Sequence, residues 1–153
     1  MSEVPSSRQI VVFTAVGEEY AVPISHVQEI IRYTPPRKIA SGDTALRGVI
    51  SLRGKILPVF DLAARIGLDA DGSDSHASIV ILEAGEQMAG LIVGDVEEVV
   101  TIENDQLDES PSVAGDAIDG IARIDDRLVL LLSPERLIET LDLSGFDAEL
   151  RAA

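Results

Sequence analysis

Apolar residues in this chain come in short runs, broken by glycines and charged pairs at intervals too short for long helices. Ile10 to Val16 and Tyr20 to Ile24 flank Gly17-Glu18-Glu19, which predicts a β-hairpin. Ser25-His26-Val27-Gln28 has the S-x-x-Q form of a capping box and predicts a short helix over Val27 to Ile31. Tyr33 to Asp43 carries Pro35 and Pro36 and reads as a loop with room for one brief strand. Gly48 to Leu52 and Lys55 to Phe60 predict a second hairpin turning at Arg53-Gly54. Asp61 is placed to cap a turn or two of helix, Leu62 to Ile66, that Gly67 ends. Asp69 to Ser78 is polar and reads as a linker.

The same grammar then repeats. Gly17 to Ile31 has an echo in Gly85 to Val100, with one extra residue in the second copy, and Gly48 to Asp61 lines up with Gly120 to Ser133. Each copy ends on a helix with a capping residue, Asp61 in one and Ser133-Pro134 in the other. Two echoes in one order point to an internal duplication. The expected fold class is all-β: two lobes of about five short strands each, barrels or partial barrels, with short helices and a C-terminal helix. The lobes span approximately residues 8–68 and 77–142 of a single domain, 8–142, with strands free to exchange between them, and residues 143–153 form a tail. Lobes this small need a shared apolar seam, which is also a natural binding groove.

Composition sharpens this picture. Hydrophobic residues make up 46% of the 153 residues but aromatic ones only 3%, so valine, isoleucine and leucine must fill the interior, a bias that favours strands. The net charge of −15 opposes nucleic acid or an anionic membrane surface as the main partner. There is no cysteine, no signal-peptide pattern and no apolar run long enough to span a bilayer, so a cytoplasmic protein is expected. His26 and His76 lack metal-binding spacing and read as capping or solvated residues. No nucleophile elbow or phosphate loop is present, and the carboxylate pairs Glu18-Glu19, Glu97-Glu98 and Asp125-Asp126 sit in polar stretches. No enzyme activity, metal or cofactor is expected.

What remains is Leu46 to Leu62, which writes Leu-Arg-Gly twice. Arg47, Arg53 and Lys55 make a basic spot on an acidic chain, whereas the matching turn of the second copy, Asp125-Asp126-Arg127, inverts the charge. Either Arg53 occupies a tolerant turn position, or its guanidinium is a docking corner able to grip a partner's carboxylate or carbonyl. Gly48 and Gly54 would let another backbone approach closely or simply meet turn geometry.

Taken together, VVFTAVGEEYAVPISHVQEII with LRGVISLRGKILPVFDLAARIGL, and the later IVILEAGEQMAGLIVGDVEEVVTI and IDGIARIDDRLVLLLSPERLI, resemble the CheW family of chemotaxis coupling proteins from about Ile10 to Leu141. The resemblance implies two SH3-like five-stranded barrels and a non-catalytic adaptor. Such an adaptor bridges the cytoplasmic tips of methyl-accepting chemoreceptors to the regulatory domain of a CheA-like histidine kinase. It also implies a protein that is monomeric when free, assembles into rings or arrays, and is recruited from the cytoplasm to membrane-associated receptors. Carried over residue by residue, the receptor-facing helix falls on Val27 and Glu29, and the functionally sensitive hairpin on Arg53 and Gly54. Receptor coupling in the second lobe falls on Gly90 and Val99, and the kinase-docking side on Ile39 and Arg47. Val27 and Val99 also suit ordinary core positions, and Ile30 reads as core. Ser41-Gly42-Asp43 departs from the family's Pro-containing approach, which puts partner choice there in doubt. Two rivals stand: an adaptor of a non-flagellar chemosensory pathway, and a β-barrel that binds a small molecule in the seam.

Overall fold

The computed structural model describes residues 7–39, 45–67, 77–108 and 117–139. Eleven strands fill most of these residues: β1 Ser7–Ala15, β2 Glu18–Pro23, β3 Val27–Arg32, β4 Leu46–Leu52, β5 Lys55–Asp61, β6 Ser78–Ala84, β7 Gln87–Val93, β8 Val96–Glu103, β9 Leu107–Asp108, β10 Ile118–Ile124 and β11 Arg127–Leu132. Two short helices, α1 Leu62–Arg65 and α2 Pro134–Glu139, follow β5 and β11. The fold is mostly β, in two SH3-like lobes.

Neither sheet is built from one half of the sequence. One has the order β3-β6-β7-β5-β4 and forms the first lobe; the other has the order β8-β1-β2-β11-β10-β9 and forms the second. The hairpins β1–β2 and β6–β7 have changed places. β2 joins β11 in parallel, and β7 joins β5 in parallel.

This exchange explains the longest apolar runs. On β1, Ile10 and Val12 fill the second lobe while Val11 and Phe13 face the seam. On β6, Ile79 and Ile81 fill the first lobe while Val80 and Leu82 face the seam. A strand buried on both faces needs no polar alternation. The seam cluster, with Tyr20, Val22, Phe60, Leu62, Leu91, Leu132 and Leu137, is larger than the core of either lobe, so the two sheets form one packed unit. The edge strand β3, by contrast, is half-buried at every second residue.

Both expected hairpins form, with Arg53 and Gly54 at φ 51° and 82°, the two positive values that a tight two-residue turn requires. Asp61 accepts a hydrogen bond from the Ala63 N–H at 3.0 Å and caps α1, and Ser133 Oγ accepts from the Arg136 N–H at 3.3 Å at the head of α2.

One expectation is overturned. Val27 to Ile31 is not a helix: a 3-10 turn, Ile24–His26, leads straight into strand β3, which pairs antiparallel with β6. The S-x-x-Q box does not close, because Gln28 Nε2 donates instead to Glu83 Oε1 at 2.9 Å. Val27, Ile30 and Ile31 are β-branched and gain more from the ladder with β6 than from a lone helical turn.

The brief strand expected near Pro36 is a single antiparallel bridge, Arg37 to Val49. Pro35 would fall opposite Ser51 and has no N–H to extend it. A Cβ on Gly48 would lie 2.1 Å from the Arg37 carbonyl oxygen, and one on Gly120 would lie 2.7 Å from that of Asp108. These glycines are equivalent in the two copies, so the Arg37 bridge is the first lobe's reduced counterpart of β9. The expected linker, His76, Ser41-Gly42-Asp43 and the tail lie wholly or largely outside the described residues.

Candidate functional site

In the five-stranded sheet β3 and β4 are the two edges, and the turn that ends β4 carries a side chain long enough to span them. That side chain belongs to Arg53. Held at positive φ by the turn, it donates from Nε to Glu29 Oε1 at 2.9 Å and from Nη2 to Glu29 Oε2 at 3.0 Å, a bidentate clasp between residues 24 apart in sequence. The arginine side chain is 75% exposed and the glutamate 29%. The hydrogen bond from Arg53 holds the Glu29 carboxyl below the ordinary carboxylate range, and the carboxylate raises the guanidinium in return.

Under the clasp lies a cleft of about 400 Å³. Leu52, Leu57, Ile81 and Met88 supply apolar walls, and Gln28, Glu83 and Lys55 stand among its polar lining with the clasp itself. Ile30 and Ile56 are 41% and 49% exposed on the same lobe. Ile30 is therefore surface and not core: β3 is an edge strand whose outer side has no layer over it among the described residues.

The second lobe repeats this plan with different charges. Arg127 donates to Glu19 Oε2 at 2.9 Å and to Glu98 Oε2 at 2.8 Å, tying the β10–β11 turn to β8. Glu98 is the duplicate of Glu29, but Arg127 is the duplicate of Lys55; Arg53 is matched by Asp125, at φ 55° in the same turn position. Val99 and Leu128, duplicates of Ile30 and Ile56, are 52% and 62% exposed. Glu97 is held above the ordinary carboxylate range, first by its hydrogen bond with Glu19, then by desolvation and by the repulsion of Glu19 and Glu98.

The residues singled out from sequence therefore do not form one cluster. Glu29, Arg53 and Gly54 come together at the mouth of the first lobe. Val27 is half-buried against the seam cluster. Gly90 is buried in β7, where a Cβ would meet Ile79 Cγ2 at 2.9 Å and Val59 Cγ2 at 3.1 Å. Val99 lies on the other lobe. Arg47 reaches the buried Asp61 carboxylate at 3.6 Å, and Ile39 is half-buried beyond the Arg37 bridge. Gly48 accommodates this chain's own backbone, and Gly54, with nothing within 4 Å of an added Cβ, serves the turn. His26 lies where the chain crosses between sheets, with Nδ1 3.0 Å from the Glu83 carbonyl oxygen and Nε2 3.3 Å from Glu135 Oε1. Among the described residues no group of three or more acidic or histidine side chains could hold a metal ion, and no helix is long and apolar enough to cross a membrane.

Sequence reasoning missed Ile56, Leu128, Glu98 and Arg127. The signal was present, since aligning the two copies pairs Ile56 with Leu128 and Glu29 with Glu98.

The two-lobed arrangement has relatives. The CheW-like domain family matches residues 9–142. The chain belongs to that family. Chemotaxis protein CheW of Klebsiella aerogenes is 26% identical over 144 residues, covering 92% of this chain and 87% of the relative. A probable chemotaxis protein CheW of Rhizobium etli is 30% identical over 134 residues, covering 85% and 86%. The crystal structure of scaffolding protein TtCheW from Thermoanaerobacter tengcongensis superposes with a TM-score of 0.80 at 34% identity, covering 87% of this chain and 93% of that one. CheW-family proteins are non-catalytic scaffolds, and this chain is not an enzyme.

Proposed function

We propose that this CheW-family protein is the adaptor that couples chemoreceptor tips to the regulatory domain of a CheA-like histidine kinase. The observation that carries the reading is the match to a scaffolding protein across both lobes and the seam, at 34% identity. Val27, Glu29, Arg53, Gly54 and Val99 serve the receptor side, Gly90 acts from beneath by setting how closely β7 packs on β5 and β6, and Ile39 and Arg47 serve the kinase side. The clasp gives this assignment a physical form. Glu29 and Arg53 act as one unit, so that a receptor helix lying over the first lobe meets a fixed pair of charges flanked by Ile30 and Ile56. Because Arg53 is already bonded to Glu29, a partner's carboxylate must share it or displace Glu29, which favours a weak and readily reversed contact. A standard interface buries about 800 Å² per partner, and a smaller one suffices where an array supplies avidity. Free protein is monomeric, and it assembles into rings or arrays at the membrane-associated receptors. The output controlled need not be flagellar.

The test is autophosphorylation of the matched kinase with receptor cytoplasmic fragments, with and without this protein. Activation that requires the chain is expected. A folded sample that leaves kinase activity unchanged, with partners competent alongside another CheW, sinks the adaptor reading. The cleft under the clasp favours a second reading, a small-molecule site, because its volume is in the range of ligand pockets. That reading requires a ligand that raises the melting temperature of the isolated protein.

A further inference from the structure

Half of the chain's twelve basic residues, Arg32, Arg37, Lys38, Arg47, Arg53 and Lys55, fall between Ile30 and Phe60, a stretch with a single acidic residue, Asp43. The fold gathers most of them along one edge. β4 is an outer strand of its sheet. Arg37 lies against it, its N–H donating to the Val49 carbonyl and its own carbonyl accepting from the Val49 N–H, both at 2.8 Å. Arg47 stands near the start of β4, Lys38 beside the bridge, and Arg53 and Lys55 at the turn, so the row extends for roughly 20 Å at the usual rise per residue. Arg53 and Arg47 have partners within the chain. Arg37, Lys38 and Lys55, with Arg32 at the end of β3, are exposed and join no ion pair among the described residues.

The duplication shows that the scaffold does not require this charge. Arg37 corresponds to Asp108, since the two carbonyls occupy the same place against Gly48 and Gly120. Arg53 corresponds to Asp125. The clasp with Glu29 accounts for the charge of Arg53, but the backbone role that Arg37 shares with Asp108 does not account for the opposite signs at that position.

We propose that the outer edge of β4 recognises an acidic face on a protein partner, with Arg37, Lys38 and Lys55 as its exposed cations. The occupant is a compact protein face and not an extended polyanion, because an anionic membrane or a nucleic acid would also meet the rest of a chain of net charge −15. Opposite charge here speeds encounter and fixes orientation more than it deepens affinity. The proposal rests on the adaptor reading and deepens it, since it gives the partner that docks on the Arg47 side an acidic surface.

The experiment is a binding titration of the full chain against the matched kinase regulatory domain, from about 50 to about 500 mM salt, across which screening shortens several-fold. The unaltered protein should weaken about tenfold or more over this range. The double variant Arg37→Glu/Lys38→Glu and the separate variant Lys55→Glu should bind several-fold more weakly at low salt and lose much of the salt dependence, with melting temperatures near the parent's. The Arg37 bridge uses only its backbone, and Lys55→Glu is a second measurement away from it. Parent-like affinity and salt slope in both variants would overturn the proposal, as would binding of anionic vesicles or duplex DNA as tight as that of the kinase domain. If the unaltered protein binds neither the kinase domain nor a receptor fragment, the adaptor reading falls, and this inference with it.

Discussion

The mouths of the two lobes share a backbone and differ in charge. Each has an edge strand, β3 or β8, a tight turn with a non-glycine residue at positive φ, a glycine that admits the carbonyl of a neighbouring backbone segment, and two exposed aliphatic residues at duplicate positions. In the first lobe Arg53 meets one glutamate and Lys55 stands exposed beside it; in the second, Arg127 lies between Glu19 and Glu98 with Glu97 beside them. Features common to both copies are those that make a barrel. Features that differ can be assigned to what each lobe meets.

The glycines test the common part, and here the largest effect is expected. Gly48→Ala combines a φ of 146° with a Cβ 2.1 Å from a backbone oxygen, and should cost about 2–4 kcal/mol in chemical denaturation. Gly120→Ala meets its carbonyl at 2.7 Å without the positive φ and should cost less, about 1–2 kcal/mol. A neutral Gly48→Ala beside a costly Gly120→Ala would break the equivalence drawn between the Arg37 bridge and β9.

The clasps test the divergent part. Arg53→Glu should reduce kinase activation several-fold while lowering the melting temperature by no more than about 2 °C, because an exposed ion pair adds little stability. Arg127→Glu should lower the melting temperature further, since it would set a new carboxylate among Glu19, Glu97 and Glu98. Full activation by Arg53→Glu would remove the clasp from the docking surface.

These contrasts also mark what could be known before the fold. Both hairpins, the Asp61 cap and the duplication were legible because turn residues, caps and apolar runs act over a few positions. The helix expected over Val27 to Ile31 failed because S-x-x-Q is only a local preference, while pairing with β6 joins residues about fifty apart. Glu29 and Arg53 were each singled out, yet nothing local pairs them: their contact exists because the sheet brings the β4–β5 turn within side-chain reach of β3. The burial of Gly90 depends likewise on β7 having crossed to the other half's sheet.

The turn at Val16-Gly17 gives a smaller, stabilising test. Val16 is a β-branched residue at φ 51°, where the other copy has Gly85 at 63°. Asn tolerates that conformation and suits the tight turn, so Val16→Asn should raise stability by about 0.5–1 kcal/mol. Gly85→Val should lower it by about 1–2 kcal/mol.

The smallest effects separate the lobes most cleanly, because they have opposite signs. Glu29 has a folded pKa below its unfolded one, so its contribution is present above the ordinary carboxylate range and is lost as pH falls through the lowered value. Glu97 has a raised folded pKa, so the folded chain holds that proton more tightly than the unfolded one, and stability declines as pH rises from the ordinary value through the raised one. Glu29→Gln should therefore melt slightly lower than the parent at pH 7, and Glu97→Gln slightly higher, each by about 1–2 °C. Both differences should shrink in acid, where the parent carboxyls are protonated. A Glu97→Gln variant that melts below the parent at pH 7 would mean that its carboxylate is held mainly by Arg127, and that the second mouth is a balanced clasp like the first.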